Sequence, residues 1–403
     1  MASDAAKPAR ITSIDAYRGL VMFLMMASGM AIYEVAKQFP ESPTWQVLGY
    51  HTNHVVWAGC SLHDMIQPSF SFLVGVALPF SIASRLARGN GFGWMLVHAV
   101  WRAFLLIALG VFLRSNGATQ TNFTFEDTLS QIGFGYVFLF LLGFRSPAWH
   151  WGALVVILVG YWAAFAAWPL PAEGFDLKSV GVTNEGRNPY TGFLAHWNIN
   201  TNPAAAFDRW FLNLFGRKDS FIGNGDGYAT LSFIPTLGTM ILGLIAGTWM
   251  KNATSRGALL VRLFLAGVIC FGIGYSLDAA GICPNVKKIW TPTWTLYSGG
   301  ICFLMLLGFT LLFDGGSPLR VLAFPLVVIG ANSIFIYSMN GLIGGWIKQT
   351  LLTHLKLPES YGGFHTYTLF GPEYESIVRG ALVILIFWLI LLWMYCKRIF
   401  IKI

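Results

Sequence analysis

Charged side chains are scarce in this 403-residue sequence, where Asp, Glu, Lys and Arg together make up 11%. Soluble domains carry roughly 25%. A chain with less than half that fraction, spread along its whole length, cannot clothe a water-exposed surface. Its 55% hydrophobic content points instead to an integral membrane protein. Cysteine is sparse as well. Cys60, Cys270, Cys283, Cys302 and Cys396 are scattered with no C-x-x-C spacing, so they give no metal motif. Cys270, Cys302 and Cys396 fall in or at the ends of apolar runs and read as packing groups. A Cys60–Cys283 bridge between two loops stays open. Missing too are a Walker A lysine motif, HExxH, a GxSxG elbow and a GxGxxG after a strand, so hydrolases and nucleotide motors are not indicated. There is no low-complexity tract, soluble domain or internal repeat. The net charge of +8 does not suggest nucleic acid, because the basic residues lie in short clusters between apolar runs, as orientation signals do.

A membrane span needs about 20 mostly apolar residues. Runs of that kind fall near 17–36, 65–85, 94–114, 129–145, 150–169, 229–250, 258–278, 293–313, 321–345 and 378–398. The expectation is therefore one all-α polytopic bundle of about ten spans over 1–403. Continuous rather than alternating runs favour helices over a barrel, since lipid-exposed backbone must satisfy its own hydrogen bonds. Lys7 and Arg10 precede an apolar run that continues as a span, which reads as a signal anchor. With an even span count, Lys7, Arg10, Arg85, Arg88, Arg145, Lys251, Arg256, Arg262, Arg320, Lys397, Arg398 and Lys402 share one side. That side is expected to be cytoplasmic, with both termini on it. Lys287 and Lys288 are exceptions to the bias. The segment 170–228 is too long for a simple connection, and its aromatics suggest an ordered non-cytoplasmic cap.

Chemistry concentrates in the approach to the second span, which reads His54-Val55-Val56-Trp57-Ala58-Gly59-Cys60-Ser61-Leu62-His63-Asp64. Polar groups at the lip of a span are costly unless used or satisfied. His54 reads either as a loop histidine satisfied by backbone or as a general base, because imidazole titrates near neutrality. Asp64 either orients a histidine or starts the helix as a carboxylate, and His63 is a second candidate. Trp57 reads as an interfacial belt residue or a stacking surface. Asp15 and Arg18 stand three apart at the start of the first helix, a spacing that suits a pair there. Arg102, Gln131 and Asn332 lie near or within spans and are expected to face the bundle interior. Arg102 further needs an anionic partner: Asp127, a phosphate-bearing ligand or lipid headgroups.

With these residues in view, the chain resembles the heparan-α-glucosaminide N-acetyltransferase-like membrane proteins, more specifically their bacterial relatives. Ser13-Ile14-Asp15-Ala16-Tyr17-Arg18-Gly19-Leu20 matches an S-x-D-x-[FY]-R-G-[LI] opening. His54-x-x-Trp57-x-Gly59 followed by Asp64, Pro68, Phe70, Phe72 and Gly75 matches the signature H-x-x-W-x-G-x(4)-D-x-x-x-P-x-F-x-F-x-x-G. Lys287-Lys288-Ile289-Trp290-Thr291-Pro292-Thr293 matches K-x-[LI]-W-[ST]-x-[ST], and Gly330-Ala331-Asn332-Ser333 a late G-x-N-[AS] segment.

The resemblance implies an inner-membrane enzyme that moves an acetyl group from acetyl-CoA, a co-substrate, to the amino group of a terminal glucosamine on the non-cytoplasmic side. It makes His54 the active-site histidine. Relatives often carry an Asn late in the first span; here the stretch has none, and either Ser28 is the substituting donor or the site differs. On this reading His54 is general base, with a transient acetyl-histidine as the alternative. Asp64 is its orienting partner. Trp57, Ser28, Asn332 and His63 attend the substrate, and Arg102, Lys287 and Lys288 the phosphates of CoA. No metal is called for, the bilayer is a partner, and a homodimer stays open. The rival reading is an amino-sugar transporter, for example of N-acetylglucosamine.

Overall fold

The computed structural model describes residues 11–182, 189–356 and 366–401. Lys7, Arg10 and Lys402, used above for orientation, lie outside the described residues, as do 183–188 of the long loop. The helices are α1 (Thr12–Ala27), α2 (Ile32–Ala36), α3 (Pro43–His51), α4 (Ile66–Leu86), α5 (Phe92–Arg114), α6 (Thr128–Leu142), α7 (Pro147–Ala166), α8 (Pro203–Phe211), α9 (Phe233–Lys251), α10 (Arg256–Ala279), α11 (Pro292–Phe313), α12 (Phe324–Gly330), α13 (Ser333–His354) and α14 (Glu375–Cys396). The described residues form no strand, only an isolated bridge between Ala58 and Val286.

Among the described residues seven helices are long and apolar enough to cross a membrane, or eight if the pair α12–α13, bent by 56° at Asn332, counts as one span. This establishes an all-helical integral membrane protein. Two of the ten expected spans are shorter than the length rule asks. α1 has 16 residues and gives way to a tight turn at Ser28–Met30, and α6 has 15. None of the five cysteines is in a disulfide, Cys60 and Cys283 included. Burial pushes the Cys283 thiol up to about 11, as suits an inert packing group.

The chain divides into two compact units. The first comprises 1–55, 60–66 and 308–403, and the second 56–59 and 67–307. In the first unit α1 lies almost in contact with α12. A Cβ on Gly19 would sit 1.8 Å from the Leu326 carbonyl oxygen, and one on Gly330 would sit 2.0 Å from that of Asp15. Asp314 fastens the start of α1, accepting from the Ser13 amide at 3.1 Å and its hydroxyl at 2.5 Å. Asn332 sits fully buried at the break between α12 and α13. Its amide donates to the Ile399 carbonyl at 3.0 Å and accepts from the Ile401 amide at 2.9 Å.

In the second unit α4 and α9 run side by side in the same direction. A Cβ on Gly243 would lie 1.9 Å from the Phe72 oxygen, and one on Gly247 would lie 2.2 Å from that of Val76. The α5–α6 hairpin packs on α9, where Gln131 accepts from Thr236 at 2.9 Å and from Gln67 at 3.3 Å. One end of the unit is closed by a buried cluster including Trp57, Phe165, Val180, Trp197, Ile199, Cys283 and Val286. The described parts of the long 170–228 segment are thus ordered by apolar burial. Arg217 ties the segment down further by donating to the Phe123 carbonyl at 2.6 Å.

The same segment buries a carboxylate. Asp208 on α8 is 2% exposed, its Oδ2 accepts from the Thr230 amide at 2.9 Å, and its Oδ1 has no hydrogen-bond partner. Burial pushes its pKa up to about 6, with hydrogen bonds from Thr230 opposing. In the unfolded chain the group titrates near 3.9. As pH rises from about 4 to 6, the unfolded state therefore releases a proton that the folded state keeps, and stability falls by about 3 kcal/mol in all. Asp208→Asn is expected to melt above the parent protein at pH 8, with the gap closing at pH 4. A pH-independent gap in thermal unfolding would contradict this.

Candidate active site

The turn that follows α3 is built around Asp64. This carboxylate is 1% exposed, and each oxygen has a defined task. Oδ2 accepts from the amides of Ser61 at 3.1 Å and Val55 at 3.2 Å. Oδ1 lies 2.7 Å from Nδ1 of His54. The Asp64 amide in turn donates to Ser61 Oγ at 3.2 Å. Ser61 and Asp64 therefore cap one another at the entry to α4, the reciprocal arrangement that suits a Ser three residues before an acid. The single hydroxyl hydrogen of Ser61 serves the Asn53 carbonyl at 2.6 Å or Asp64 Oδ2 at 3.0 Å.

One buried carboxylate thus clamps the imidazole of His54 and the amide of the residue after it. Since Asp64 Oδ1 is an acceptor, His54 carries its hydrogen on Nδ1 and its lone pair on Nε2. The ring is 41% exposed, in contrast to its carboxylate. His63 packs beside it, with ring centroids 4.4 Å apart. The Asp64 carboxylate thus lies both against the His54 ring and at the cap of α4.

The other residues singled out in the sequence fall elsewhere. Asp15 and Arg18 form their pair at 3.2 Å in α1. Ser28 is exposed, and its hydroxyl donates back to the Met25 carbonyl at 2.7 Å. Asn332 is engaged at both ends of its amide by the backbone of the last residues, which makes it a staple for the α12–α13 break. Trp57 is neither an interfacial belt residue nor an open stacking surface. It is 2% exposed in the core of the second unit, and its indole donates to the Trp197 carbonyl at 3.2 Å. The reason is the neighbouring backbone: Gly59 donates to the Asn285 carbonyl at 3.0 Å, which pins this stretch of chain to the loop before α11.

That loop carries Lys287 and Lys288, which are 4% and 7% exposed. The Lys288 ammonium lies 3.7 Å from Asp226 Oδ1 and 5.6 Å from the centre of the Tyr228 ring. Arg102 does not meet Asp127, as the sequence allowed. Asp127 instead caps α6, accepting from Leu129 and Ser130, and burial pushes its pKa up. Arg102 donates to the Tyr136 hydroxyl at 3.1 Å and stacks over that ring at 4.6 Å. Among the described residues no group of three or more His, Cys, Asp or Glu is placed to hold a metal ion.

Sequence reasoning missed Ser61, Asp226 and Tyr228. The S-x-x-D spacing before α4 is a visible signal for Ser61. Asp226 and Tyr228 sit in a loop whose path no periodicity announces.

No family model matches the chain. Among curated proteins it is 22% identical to heparan-alpha-glucosaminide N-acetyltransferase of Homo sapiens, over 99% of this chain and 61% of the human protein. It is 31% identical to the protein of the same name from Mus musculus over 26% of this chain and 14% of the mouse protein. The chain therefore spans about three fifths of the length of the human relative. These matches agree with the motif resemblance, and they make the chain a distant relative of the heparan-alpha-glucosaminide N-acetyltransferases.

Proposed function

We propose that the protein is a membrane-embedded acetyltransferase that moves the acetyl group of acetyl-CoA onto the amino group of glucosamine or a glucosamine-terminated glycan. The observation that carries this reading is the 2.7 Å contact between His54 Nδ1 and buried Asp64. An ammonium cannot attack a thioester, so the acceptor must lose a proton. That first proton goes to water before attack; in the proposed step Nε2 of His54 takes a second proton from the neutral amine as its nitrogen bonds to the thioester carbonyl carbon. The C–S bond then breaks, CoA leaves as thiolate, and the imidazolium returns the proton to it. Asp64 stabilises the imidazolium and holds the tautomer. Lys287 and Lys288 supply cationic charge for the phosphates of CoA. His63, whose ring centroid is 4.4 Å from that of His54, is a substrate neighbour in this reading.

The distribution of charge in the second unit supports the sidedness. Arg85, Arg88, Arg145, Lys251 and Arg256 cluster at the ends of α4, α6 and α9 and the starts of α5, α7 and α10. The carboxylates among the described residues of this unit lie at 126–127, 173–226 and Asp278, toward the other pole. Arg114, Lys178, Arg209, Arg217, Lys218, Lys287 and Lys288 lie toward that other pole as well, so the reading rests on the basic residues of the short connections, whose pole is taken as cytoplasmic and the 170–228 segment as not. The inner membrane of a bacterium is the proposed location, on the strength of the motif likeness to bacterial relatives. The transporter reading draws no support from relatives named as transferases.

The test is purified protein in liposomes with acetyl-labelled CoA and glucosamine. The expected product is N-acetylglucosamine carrying the label, read by mass spectrometry, with one thiol released per amide formed. Uptake of labelled N-acetylglucosamine with no acyl donor, and no acetylation of any amino sugar, would overturn the reading in favour of transport.

A further inference from the structure

We propose that Arg85, His98 and Arg102 form a phosphate-binding site toward the pole of the second unit where α4 ends, which holds no carboxylate among the described residues. The proposal does not rest on the acetyl-transfer reading. Arg85 sits in the last turn of α4, with its Nη2 3.1 Å from His98 Nε2 and its guanidinium 5.6 Å from the centre of the Trp94 ring. Arg102 lies one turn beyond His98 on α5. Helix side chains lean toward the N-terminal end, so its guanidinium is carried back toward His98. The ionic neighbours of His98 are indeed Arg85 and Arg102, and those of Arg85 include Arg88 and Arg102.

Like charges gathered toward one end of a pair of spans are costly without a counter-charge, and no carboxylate among the described residues pairs with these. Among the described residues Arg85, Arg88 and Arg102 make no ion pair, and every polar or ring contact given to Arg85 and Arg102 is to His98, Trp94 or Tyr136. No Asp or Glu occurs between Gln67 and Phe125. The described carboxylates at 126–127, 173–176, 208–226 and Asp278 sit toward the opposite pole, where α9 begins rather than ends. The 19 residues of α9 put that separation at roughly 28 Å at 1.5 Å per residue.

Arg88 behaves as an ordinary snorkelling residue. It is exposed, and its Nε donates to the Ser84 carbonyl at 3.1 Å. Arg102 does not: its Nε is buried and has no hydrogen-bond partner. Arg85 leans on a neutral imidazole, which accepts its hydrogen and which a stronger acceptor would replace. A phosphate fits this gap. It is anionic, it accepts in the forked geometry a guanidinium offers, and it is the chemistry of headgroups at the depth where α4 ends. The phosphate can belong to a phospholipid or to a soluble nucleotide-bearing thioester.

The experiment uses the full chain in detergent and binding rather than turnover. In one arm, native mass spectrometry counts phosphatidylglycerol retained against competing phosphatidylcholine. In the other, titration calorimetry measures CoA. Arg85→Gln and Arg102→Gln are compared with the parent and with Arg145→Gln, a charge-matched change at the same pole. The expected result is about tenfold weaker binding in one arm for Arg85→Gln and Arg102→Gln, with Arg145→Gln unchanged. The arm that responds names the source of the phosphate. Equal binding of both probes by the parent and by Arg85→Gln overturns the proposal. Arg85 closes a helix and its removal leaves the core intact, so that variant decides even if Arg102→Gln does not fold.

Discussion

Asp64→Asn is expected to lower acetyl transfer by about 10²–10⁴-fold while leaving the chain folded. The argument follows from the two oxygens of the carboxylate. Oδ2 receives the Val55 and Ser61 amides, and neither could face an NH2 group. The asparagine would therefore keep its oxygen there and present its NH2 to His54. That group donates, so Nδ1 of the ring must accept, and the hydrogen moves to Nε2. The ring would remain in place with its base lone pair pointing at the wrong partner. Asp64→Glu would lengthen the arm without reversing the tautomer, and partial activity is expected. Turnover of Asp64→Asn within a few-fold of the parent, at an unchanged melting temperature, would remove Asp64 from its orienting role.

Gly243→Leu is expected to have the largest effect on stability. The Cβ position at Gly243 lies 1.9 Å from the Phe72 carbonyl oxygen, and that at Gly75 lies 1.9 Å from the Met240 oxygen. These atoms belong to backbone, which cannot swing aside as a flexible side chain would. The α4–α9 pair would have to separate, giving up the close approach on which helix association in lipid depends. Even the single methyl of Gly243→Ala should cost at the upper end of the 1–3 kcal/mol typical of overpacking. Gly152→Ala and Gly160→Ala on α7 are the controls, because nothing lies within 4 Å of either Cβ position. Thermal unfolding in detergent should show a marked fall for the first set and little change for the second. A similar response from both sets would contradict the packing described here.

The apolar runs made most of the spans readable, because a length of hydrocarbon demands a length of apolar helix. What the runs could not show is where a helix stops short inside one. The first run continues past Ser28, yet α1 ends there in a tight turn. The ninth run continues through Asn332, where the helix bends because the asparagine amide is drawn to the backbone at Ile399 and Ile401. The His54–Asp64 pair was half legible. Its members are ten residues apart in a loop, so spacing alone could not say whether the carboxylate would reach the ring. The depth of Trp57 was not legible, since it depends on Trp197 and Asn285, which are distant in sequence. The same holds for Arg102, whose partner Tyr136 sits where two helices happen to face each other.

The most direct measurement is thiol release from acetyl-CoA in the presence of glucosamine by the parent protein and by His54→Ala, both in liposomes and both shown to be folded by thermal unfolding. If Nε2 of His54 takes the amine proton, the parent releases one thiol per amide formed and the variant falls toward the uncatalysed rate. Equal rates of thiol release by the two proteins would contradict the account at its centre.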